Sequence, residues 1–537
     1  MQLLLLMGKA FRSNILLSGA IVASVVTSAL PGSAALFVVN KNFWGNHSTE
    51  GTFSWAINQT NITPGKDIIE LTTNVSIDDF FGGSAAGVYA ATFTDPDGVD
   101  IFGAGHRLTG NPSFININGT VRTKYDPDAF RPGDILTLQA NSFARVANNV
   151  NSIYIDALRV DGLNQFLEIG QGSTVTVRNS VFDYMTAFGK PQEPVFRSQD
   201  DSTLNLLGVT MKHINRFRDP TDGFEWAWAS VIEGLNANLN IDKSTLSLYT
   251  SQTAGAVNWI GGTANIVSSV ILGKGLSIMD YTRQGVLNIV NSLFRPLGRS
   301  ETARIQASNN GVANLIASTI QFDASDTSNL PGSGSLLSCP TNYKCNGAPL
   351  QAFNGGTINL LSSAVSVLGI EDARIANPYS NTYDGLAGAL TADVLSYVQP
   401  VAGQDAAALK SLFNQPNLLT AGVPFAVDTS DPYNFLHYFE LPDGGAPLAP
   451  GPLVDVIADA DGANQLINPI DGSVITRDVF HHPRTTNGFR NIGAVQATVQ
   501  TPVPGPLPVL GISAVLAWSR RLRHRRHQPS SLPRSQA

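Results

Sequence analysis

Apolar and polar residues alternate in a ten-residue pattern that recurs through the middle of the chain. In the copy Gly285–Phe294, the third and fifth residues are apolar and the fourth is Asn288. Alternation of this kind has the period of a β-strand with one face turned inward. Seven copies align, and they begin at Ser173, Ser202, Ala237, Gly262, Gly285, Gly311 and Gly356.

The spacing of the copies favours a solenoid. It ranges from 23 residues, between Asn265 and Asn288, to 45 residues, between Asn314 and Asn359. Periods in this range are typical of solenoids, propellers and arrays. Each copy is too short for the four strands of a propeller blade, and it lacks the regular leucines and helical return of a leucine-rich repeat. We therefore predict an all-β, single-stranded parallel β-helix, with a β-sandwich of chance-similar Asn-rich strands as the alternative.

The fourth position of the copies predicts an asparagine ladder. In stacked coils, each strand pairs with the same strand of the next coil about 4.8 Å away, so like residues lie over like residues. Side-chain amides can then hydrogen-bond along the axis. After Thr176 in the first copy, the column reads Asn205, Asn240, Asn265, Asn288, Asn314 and Asn359. The eighth position is serine in every copy except the one with Val209.

The N-terminus predicts export. Lys9 and Arg12 precede an apolar stretch at 14–29, and small residues follow, which is the pattern of a secretory signal. We place cleavage after Ala35, with Ala29 as the alternative site. An anchoring helix is the other interpretation, but the apolar stretch is short for a membrane span.

The pattern along the chain predicts six segments. They are a signal peptide at 1–35, an N-terminal cap at 36–67, coils at 68–370, an insertion or side module at 371–440, closing coils with a C-terminal cap at 441–498, and a tail at 499–537. In the cap, Phe53, Ala56 and Ile57 lie on one side of a predicted helix. Helical periodicity at 386–397 and 405–413 sets the insertion apart.

Composition narrows the function classes. The net charge of −7 gives no case for nucleic-acid binding. Charged residues make up only 14% of the chain, against an average of about 25%. The two cysteines, Cys339 and Cys345, cannot form a structural zinc site alone. In an exported protein they form a local disulfide, with unpaired thiols as the alternative.

Candidate chemical residues are few. His106 lies in Gly-His-Arg, whereas pectin-cleaving β-helix hydrolases carry Gly-His-Gly, so we do not predict a catalytic role for it. The adjacent pairs Asp78–Asp79 and Asp200–Asp201 suit solvated turns, because neighbours on a strand point to opposite faces. Trp226, Trp228 and Trp259 either fill the coils or stack on sugar rings.

One acidic group is a candidate metal site. Asp455, Asp459 and Asp461 could hold calcium, which prefers oxygen ligands. The spacing does not fit an EF-hand, and capped Asx-turns are the favoured interpretation. We predict no catalytic residue, no metal site and no cofactor, with calcium at these aspartates as the alternative.

Both ends of the predicted coil region resemble one family. Gly51–Ile57 with Asn61 resembles the G-S-L-R-x-A-I-x-x-A-N entry motif of bacterial surface β-helix proteins related to polymorphic outer-membrane proteins, including the choice-of-anchor Q group. Phe53 and Ser54 depart from that motif. The order of motifs from 441 to 496 resembles the end of the same proteins. This resemblance implies a right-handed β-helix at a bacterial surface.

The tail resembles a PEP-CTERM sorting signal, which exosortases read. The motif residues are Val503, Pro504, Gly505, Pro506, Leu507 and Pro508, followed by an apolar run at 509–518 and a basic cluster with Arg520, Arg521 and Arg523. The literal Pro-Glu-Pro is absent. The resemblance implies an exosortase-type partner and contact with the membrane only through this tail. A simple C-terminal membrane anchor is the alternative.

Together these features predict a structural or adhesive protein of the bacterial cell surface, outer membrane or extracellular matrix. Its long side faces suit association with exopolysaccharide or surface glycans. The rival hypothesis is a carbohydrate-active enzyme, either a polysaccharide lyase or a glycoside hydrolase, because the scaffold by itself does not define function. An enzyme should bring carboxylates and a basic residue together in one groove.

Overall fold

The computed structural model covers the coil region with gaps in its loops. It describes residues 34–77, 89–110, 114–116, 121–122, 134–136, 142–163, 165–183, 185, 194–214, 230–248, 257–273, 276–279, 285–296, 305–323, 350–368, 376–379, 388–398, 405–420, 457–458, 465–479, 481, 483–484, 489–490 and 494. None of the helices within these ranges is long and apolar enough to cross a membrane.

The described residues are mostly strands. In the first part of the chain these are β1 (Leu36–Val39), β2 (Asp67–Leu71), β3 (Val75–Ser76), β4 (Tyr89–Phe93), β5 (Val99–Phe102), β6 (Arg107–Thr109), β7 (Phe114–Asn116), β8 (Val121–Arg122), β9 (Asp134–Leu136), β10 (Ser142–Val146), β11 (Ile153–Asp156), β12 (Arg159–Asp161), β13 (Leu167–Ile169), β14 (Thr174–Arg178), β15 (Val181–Asp183), β16 (Phe196–Ser198), β17 (Thr203–Leu207) and β18 (Thr210–Ile214). They continue as β19 (Ile232–Asp242), β20 (Thr245–Leu248), β21 (Val257–Val267), β22 (Val270–Gly273), β23 (Leu276–Met279), β24 (Val286–Val290), β25 (Leu293–Pro296), β26 (Ile305–Ser308), β27 (Val312–Ile316), β28 (Thr319–Asp323), β29 (Leu350–Phe353), β30 (Thr357–Leu361), β31 (Ala364–Leu368), β32 (Ala376–Tyr379), β33 (Ala389–Ala392), β34 (Tyr397–Val398), β35 (Ile457–Ala458) and β36 (Phe489–Arg490). The helices are α1 (Phe53–Thr60) and α2 (Ala406–Leu412).

Stacked coils of three strands build the body of the protein. In one coil, β13 bends into β14, a two-residue turn leads to β15, and a longer loop leads to the next coil. The first two strand positions of each coil belong to a 20-stranded main sheet and the third to an 11-stranded second sheet. β13 pairs in parallel with β16, β14 with β17, and β15 with β18. The prediction of an all-β parallel β-helix is confirmed.

The inward side chains fill the coils with apolar residues. Near the first coils they form an aromatic row in which Phe143 stacks on Phe166, with ring centroids 5.0 Å apart. Further along, the indole of Trp259 is fully buried and donates a hydrogen bond to the carbonyl of Ala237 at 2.9 Å. Trp259 therefore fills the coil, which was one of the two interpretations of its sequence position.

The asparagine column forms a continuous chain of hydrogen bonds. Asn240 Nδ2 donates to Asn205 Oδ1 at 2.8 Å, and each following amide donates to the one before it at 2.8–2.9 Å, up to Asn359. Thr176 and Thr391 close the two ends. The column lies on the outward face, because the apolar neighbours of each asparagine on its strand point into the core.

A second column of serines joins the coils at the corner between β14-type and β15-type strands. The residue before each serine has positive φ, as at Asn291 (φ 50). That turn leaves an N–H without a strand partner, and the next coil supplies one. Ser269 N donates to Ser292 Oγ at 3.1 Å, and Ser292 N to Ser318 Oγ at 3.2 Å. The serine at the eighth repeat position thus satisfies a buried backbone group.

Helices cover both ends of the stack. At the start, α1 buries Phe53, Ala56 and Ile57, as the sequence predicts. At the other end, α2 places Leu409 in the same continuous core as the coils. Asp405 accepts a hydrogen bond from Ala407 N and caps α2. A cap protects the otherwise open edge of a terminal coil.

The predicted boundaries at 370 and 371–440 are wrong in part. The helix expected at 386–397 is instead strands β33 and β34, which pair in parallel with β30 and β31. The stack therefore runs on to residue 398. The expected helix at 405–413 is present as α2, and it forms an end cap rather than a side module.

The segment predicted to close the stack lies along its side. We call residues 465–479, 483–484 and 494 the C-terminal segment. Its Leu466 packs on Val267, Val290 and Ala317, at the corners of three successive coils. Its Val479 and Ala494 pack on the neighbouring side of the same coils. The described residues at 441–498 thus form no closing coil.

Three polar contacts fix the C-terminal segment to the coils. Asn291 Nδ2 donates to Arg477 O at 2.9 Å, and Ala494 N donates to Thr319 Oγ1 at 2.9 Å. The buried Arg484 points a guanidinium nitrogen to Ala317 O at 3.5 Å. The docking surface exists because the sixth repeat position, although outward, is apolar in these coils at Val267, Val290 and Ile316.

Candidate functional site

Four charged residues form a row on the outer face of the main sheet. Arg145, Glu168, Arg197 and Glu233 each occupy an outward position on the first strand of a coil, and successive members are direct register partners. We call this row the charged column. Apolar residues flank each member on its strand and point inward, as Leu167 and Ile169 do around Glu168. Register continues the row through Asn258, Ser277 and Gln306 to Gln351, which is only 2% exposed.

Glu168 is the best-connected member of the charged column. Its Oε1 accepts a hydrogen bond from Gln199 Nε2 at 2.7 Å and lies 3.8 Å from Arg145 Nε. Its Oε2 accepts a hydrogen bond from the Tyr89 hydroxyl. The Glu168 side chain is only 12% exposed, so its carboxylate holds neighbouring side chains in position.

The other members are more open to solvent. Arg197 Nη2 lies 3.7 Å from Glu233 Oε2, and these side chains are 32% and 34% exposed. Arg145 is 48% exposed. Opposite charges on neighbouring rungs offset each other, so the row presents many hydrogen-bonding groups with little net charge. Such a surface suits a ligand rich in hydroxyl groups.

The carboxylate spacing bears on catalysis. Glu168 and Glu233 lie two coils apart, which places their backbones about 9.6 Å from each other. Inverting glycosidases hold their two carboxyl groups about 6.5–9.5 Å apart. However, both oxygens of Glu168 are occupied by donors from this chain, and Arg197 lies between the two acids. The arrangement therefore favours binding over general acid–base chemistry.

A second group of charges is buried on the second sheet. Asp161 Oδ2 lies 2.8 Å from Arg107 Nε and 3.4 Å from Arg159 Nε, and its side chain is fully buried. Burial raises the pKa of Asp161 to about 6, although the two arginines oppose this shift. Asp183, its register partner, raises it further by repulsion. A carboxylate with no exposed surface cannot meet a polymer substrate, so this cluster is structural.

We expect Asp161 to make stability depend on pH between 4 and 6. Its pKa in the unfolded chain is about 3.9, so its favourable contribution is full below that value and is lost as pH rises through about 6. The loss amounts to about 3 kcal/mol. Thermal melts of wild type and Asp161→Asn at pH 4, 5, 6 and 7 test this. The variant should show a smaller fall in Tm over that range, and an unchanged fall would contradict the assignment.

The candidate histidine and aspartate residues from the sequence that the structure describes lie in turns and do not form a common site. His106 lies in the turn between β5 and β6, at the corner away from the charged column. Asp200 and Asp201 lie in the bend before β17, where Asp201 has φ 58 and Asp200 Oδ1 accepts Asn236 Nδ2 at 3.1 Å. This turn placement is the one that the sequence favoured.

Several other candidates lie outside the described residues. They are the signal peptide up to residue 33, Asp78–Asp79, Trp226, Trp228, Cys339, Cys345, Asp455, Asp459, Asp461 and the sorting tail with Val503–Pro508 and Arg520–Arg523. Within the described residues, no group of three or more His, Cys, Asp or Glu side chains is placed to hold a metal ion.

Sequence reasoning missed the charged column, although a signal was present. Glu168 and Arg197 each precede the ladder position of their coil by eight residues, and Glu233 precedes Asn240 by seven. Extending the ten-residue repeat upstream would have aligned Glu168 with Arg197, and a gap of one residue would have added Glu233. Comparison with models of known protein families gives no match. A search of curated proteins also gives no significant match.

Proposed function

We propose that this protein is an exported, surface-associated β-helix that binds a neutral polysaccharide along the charged column and the amides that continue it. The charged column carries the proposal. It is an outward row of hydrogen-bonding side chains at a regular step, with two positive and two negative members. The predicted leader and the tail that resembles a sorting signal support a location at the cell surface or in the extracellular matrix, with an adhesive role.

The geometry supports a linear polymer as the ligand. Register pairing repeats each outward side chain at about the spacing between strands, near 4.8 Å. A chain of sugars lying along the stack would meet Arg197, Glu233 and Asn258 in turn. The asparagine ladder runs parallel to this row on the next strand of each coil, so a second line of amides lies beside it. Arginine and carboxylate groups form strong, charge-assisted hydrogen bonds with hydroxyls.

A carbohydrate-active enzyme is the second candidate, and Glu168 with Glu233 is the observation that favours it. The same experiment separates the two functions. The full chain, exported and purified, is incubated with neutral and acidic polysaccharides, with and without calcium. Retention without new reducing ends or unsaturated products supports binding. Release of oligosaccharides would establish the enzyme.

Substitution tests the site itself. We expect Arg197→Ala to weaken binding to a neutral polysaccharide by at least about tenfold, since a hydrogen bond to a charged group contributes about 1.5–3 kcal/mol. Arg178→Ala is the matched control, because Arg178 is an exposed outward arginine on the adjacent strand β14, outside the charged column. Isothermal titration calorimetry measures both. Equal affinities of wild type and Arg197→Ala, or equal losses in the two variants, would reject the charged column as the binding site.

A further inference from the structure

Two buried carboxylates lie at the beginning of the described chain. Asp67 is fully buried, and its Oδ1 accepts a hydrogen bond from the backbone N of Ala35 at 2.8 Å. Asp95 is 7% exposed, and its Oδ1 accepts a hydrogen bond from Asp97 N at 3.1 Å. The second oxygen of each, Oδ2, is buried and has no hydrogen-bond partner among the described residues.

No basic side chain described nearby balances these acids. Lys66 adjoins Asp67 in sequence, but its Nζ pairs with Asp100 Oδ1 at 2.6 Å. Asp97 adds a further carboxylate, which accepts Gly65 N at 3.1 Å. Burial raises the pKa of Asp67 to about 6, and Asp95 adds to this by repulsion. Burial likewise raises the pKa of Asp95. Neither acid therefore has an ion-pair partner among the residues that the structure describes.

Ala35 is part of the fold, whereas Ala34 is exposed. The carbonyl of Ala35 accepts a hydrogen bond from Ile68 N at 2.8 Å, next to the bond from its own N to Asp67. Cleavage after Ala35 would remove both contacts and leave Asp67 and Ile68 N without partners. Cleavage one residue earlier would keep both. Small residues also precede that bond, with Ala34 at −1 and Gly32 at −3, as a leader peptidase requires.

We propose that hydrolysis of the Ala34–Ala35 peptide bond creates the mature N-terminus, and that the new α-ammonium is held by the buried carboxylates of Asp67 and Asp95. Water adds across the bond, Ala34 leaves with a carboxylate, and Ala35 keeps a protonated amine. The nitrogen already lies at hydrogen-bonding distance from Asp67, and it gains two further N–H donors. This proposal is independent of polysaccharide binding.

An ammonium fits this site better than a metal ion. Calcium takes six to eight oxygen ligands, whereas the described residues offer no group of three acidic or metal-binding side chains here. An ammonium carries three N–H donors. Asp67 Oδ1 already accepts a hydrogen bond from this nitrogen, and two buried oxygens without a partner among the described residues belong to Asp67 and to its electrostatic neighbour Asp95.

The first test identifies the mature N-terminus. The full chain with its leader is expressed in an exporting bacterium, and the N-terminal peptide of the purified product is determined by mass spectrometry. We expect a first residue of Ala35. A first residue of Leu36, of Leu30, or of any other position would overturn the proposal.

The second test measures the ammonium in the folded protein. An α-amino group has a pKa of about 7.7–8.0 in an unfolded chain, and binding to carboxylates raises it. Its contribution to stability is therefore full below about pH 7.7 and is lost as pH rises through the folded value. We expect the Tm of the processed protein to fall by about 2 °C or more between pH 8 and 10.

Variants separate the ammonium from other causes. Asp67→Asn and Asp95→Asn should each reduce the fall in Tm between pH 8 and 10. If one variant fails to fold, the other one alone provides the test. Ala34→Leu, which removes the small residue at −1, should shift or block cleavage and reduce the fall in Tm as well. Asp97→Asn is the control and should keep the fall. A flat wild-type profile would overturn the proposal, and so would a Tm that rises on addition of calcium in wild type but not in Asp67→Asn.

Discussion

Replacing Gly234 with valine is expected to destabilise the centre of the stack strongly. Gly234 is an inward position on β19, and its register partner one coil further on is Trp259. A Cβ atom at Gly234 would overlap the six-membered ring of the Trp259 indole. The absent side chain is what makes room for the largest buried residue of the core.

The overlap cannot be relieved without a loss of stability. Trp259 is held by its own hydrogen bond to Ala237 O, so the ring cannot turn away without losing a buried contact. Overpacking of this kind costs about 1–3 kcal/mol, and more where the backbone must move. Chemical denaturation of Gly234→Val should therefore show a lower midpoint, or the variant should fail to accumulate in folded form.

A second variant tests whether the cause is steric. Gly234→Val combined with Trp259→Leu removes the overlap and should recover part of the loss, whereas Trp259→Leu alone leaves a cavity over Gly234. Additive effects of the two substitutions would contradict the packing argument, because residues in contact are expected to couple by about 0.5–3 kcal/mol.

Replacing Val290 with aspartate is expected to release the C-terminal segment while the coils stay folded. Val290 points outward from β24 and is 1% exposed, because Leu466 and its neighbours cover it. A carboxylate there would be buried without a partner, which costs several kcal/mol, on the order of 3–5 for an uncompensated buried charge. Undocking places the carboxylate in water and avoids that cost.

Limited proteolysis and hydrogen exchange measure the release. In Val290→Asp, the amides of residues 465–479 should lose protection while those of β24 and β27 keep it. Val286→Asp is the matched control, since Val286 also points outward from β24 but is half-buried and lies outside the apolar cluster around Leu466. Equal protection of the segment in wild type and Val290→Asp would contradict this docking, and unfolding of the coils would show that the segment is needed for the stack.

The sequence by itself determined the fold class, the asparagine ladder and the helix at the start. The reason is that these depend on short-range patterns that recur. Alternation along seven copies defines which side chains point inward, and register then places Asn205 over Thr176 and Asn240 over Asn205. The helix α1 is similarly local, because Phe53, Ala56 and Ile57 lie on one face and Thr52 caps the first turn.

Only the tertiary structure decided the secondary structure and the packing of the later part of the chain. The stretch around Ala389–Ala392 has a composition that suits a helix, but pairing with β30 makes it a strand. From the sequence alone, the outward valines at the sixth repeat position are predicted to be exposed. In the structure they are buried, because Leu466, which is distant from them in sequence, packs on them. Local propensity cannot anticipate contacts at that separation.

For the proposed processing site and for the charged column, the sequence likewise supplied one part of the evidence and the tertiary structure the other. Small residues around Ala34 predict a cleavable bond from the sequence, whereas the burial of Asp67, which accepts a hydrogen bond from Ala35 N, and of Asp95 is a property of the folded coils. The charged column is assembled from residues 29 and 36 positions apart, with loops of different length between them. Parallel pairing aligns the strands whatever the length of the loops between them, so Glu168, Arg197 and Glu233 lie in one row.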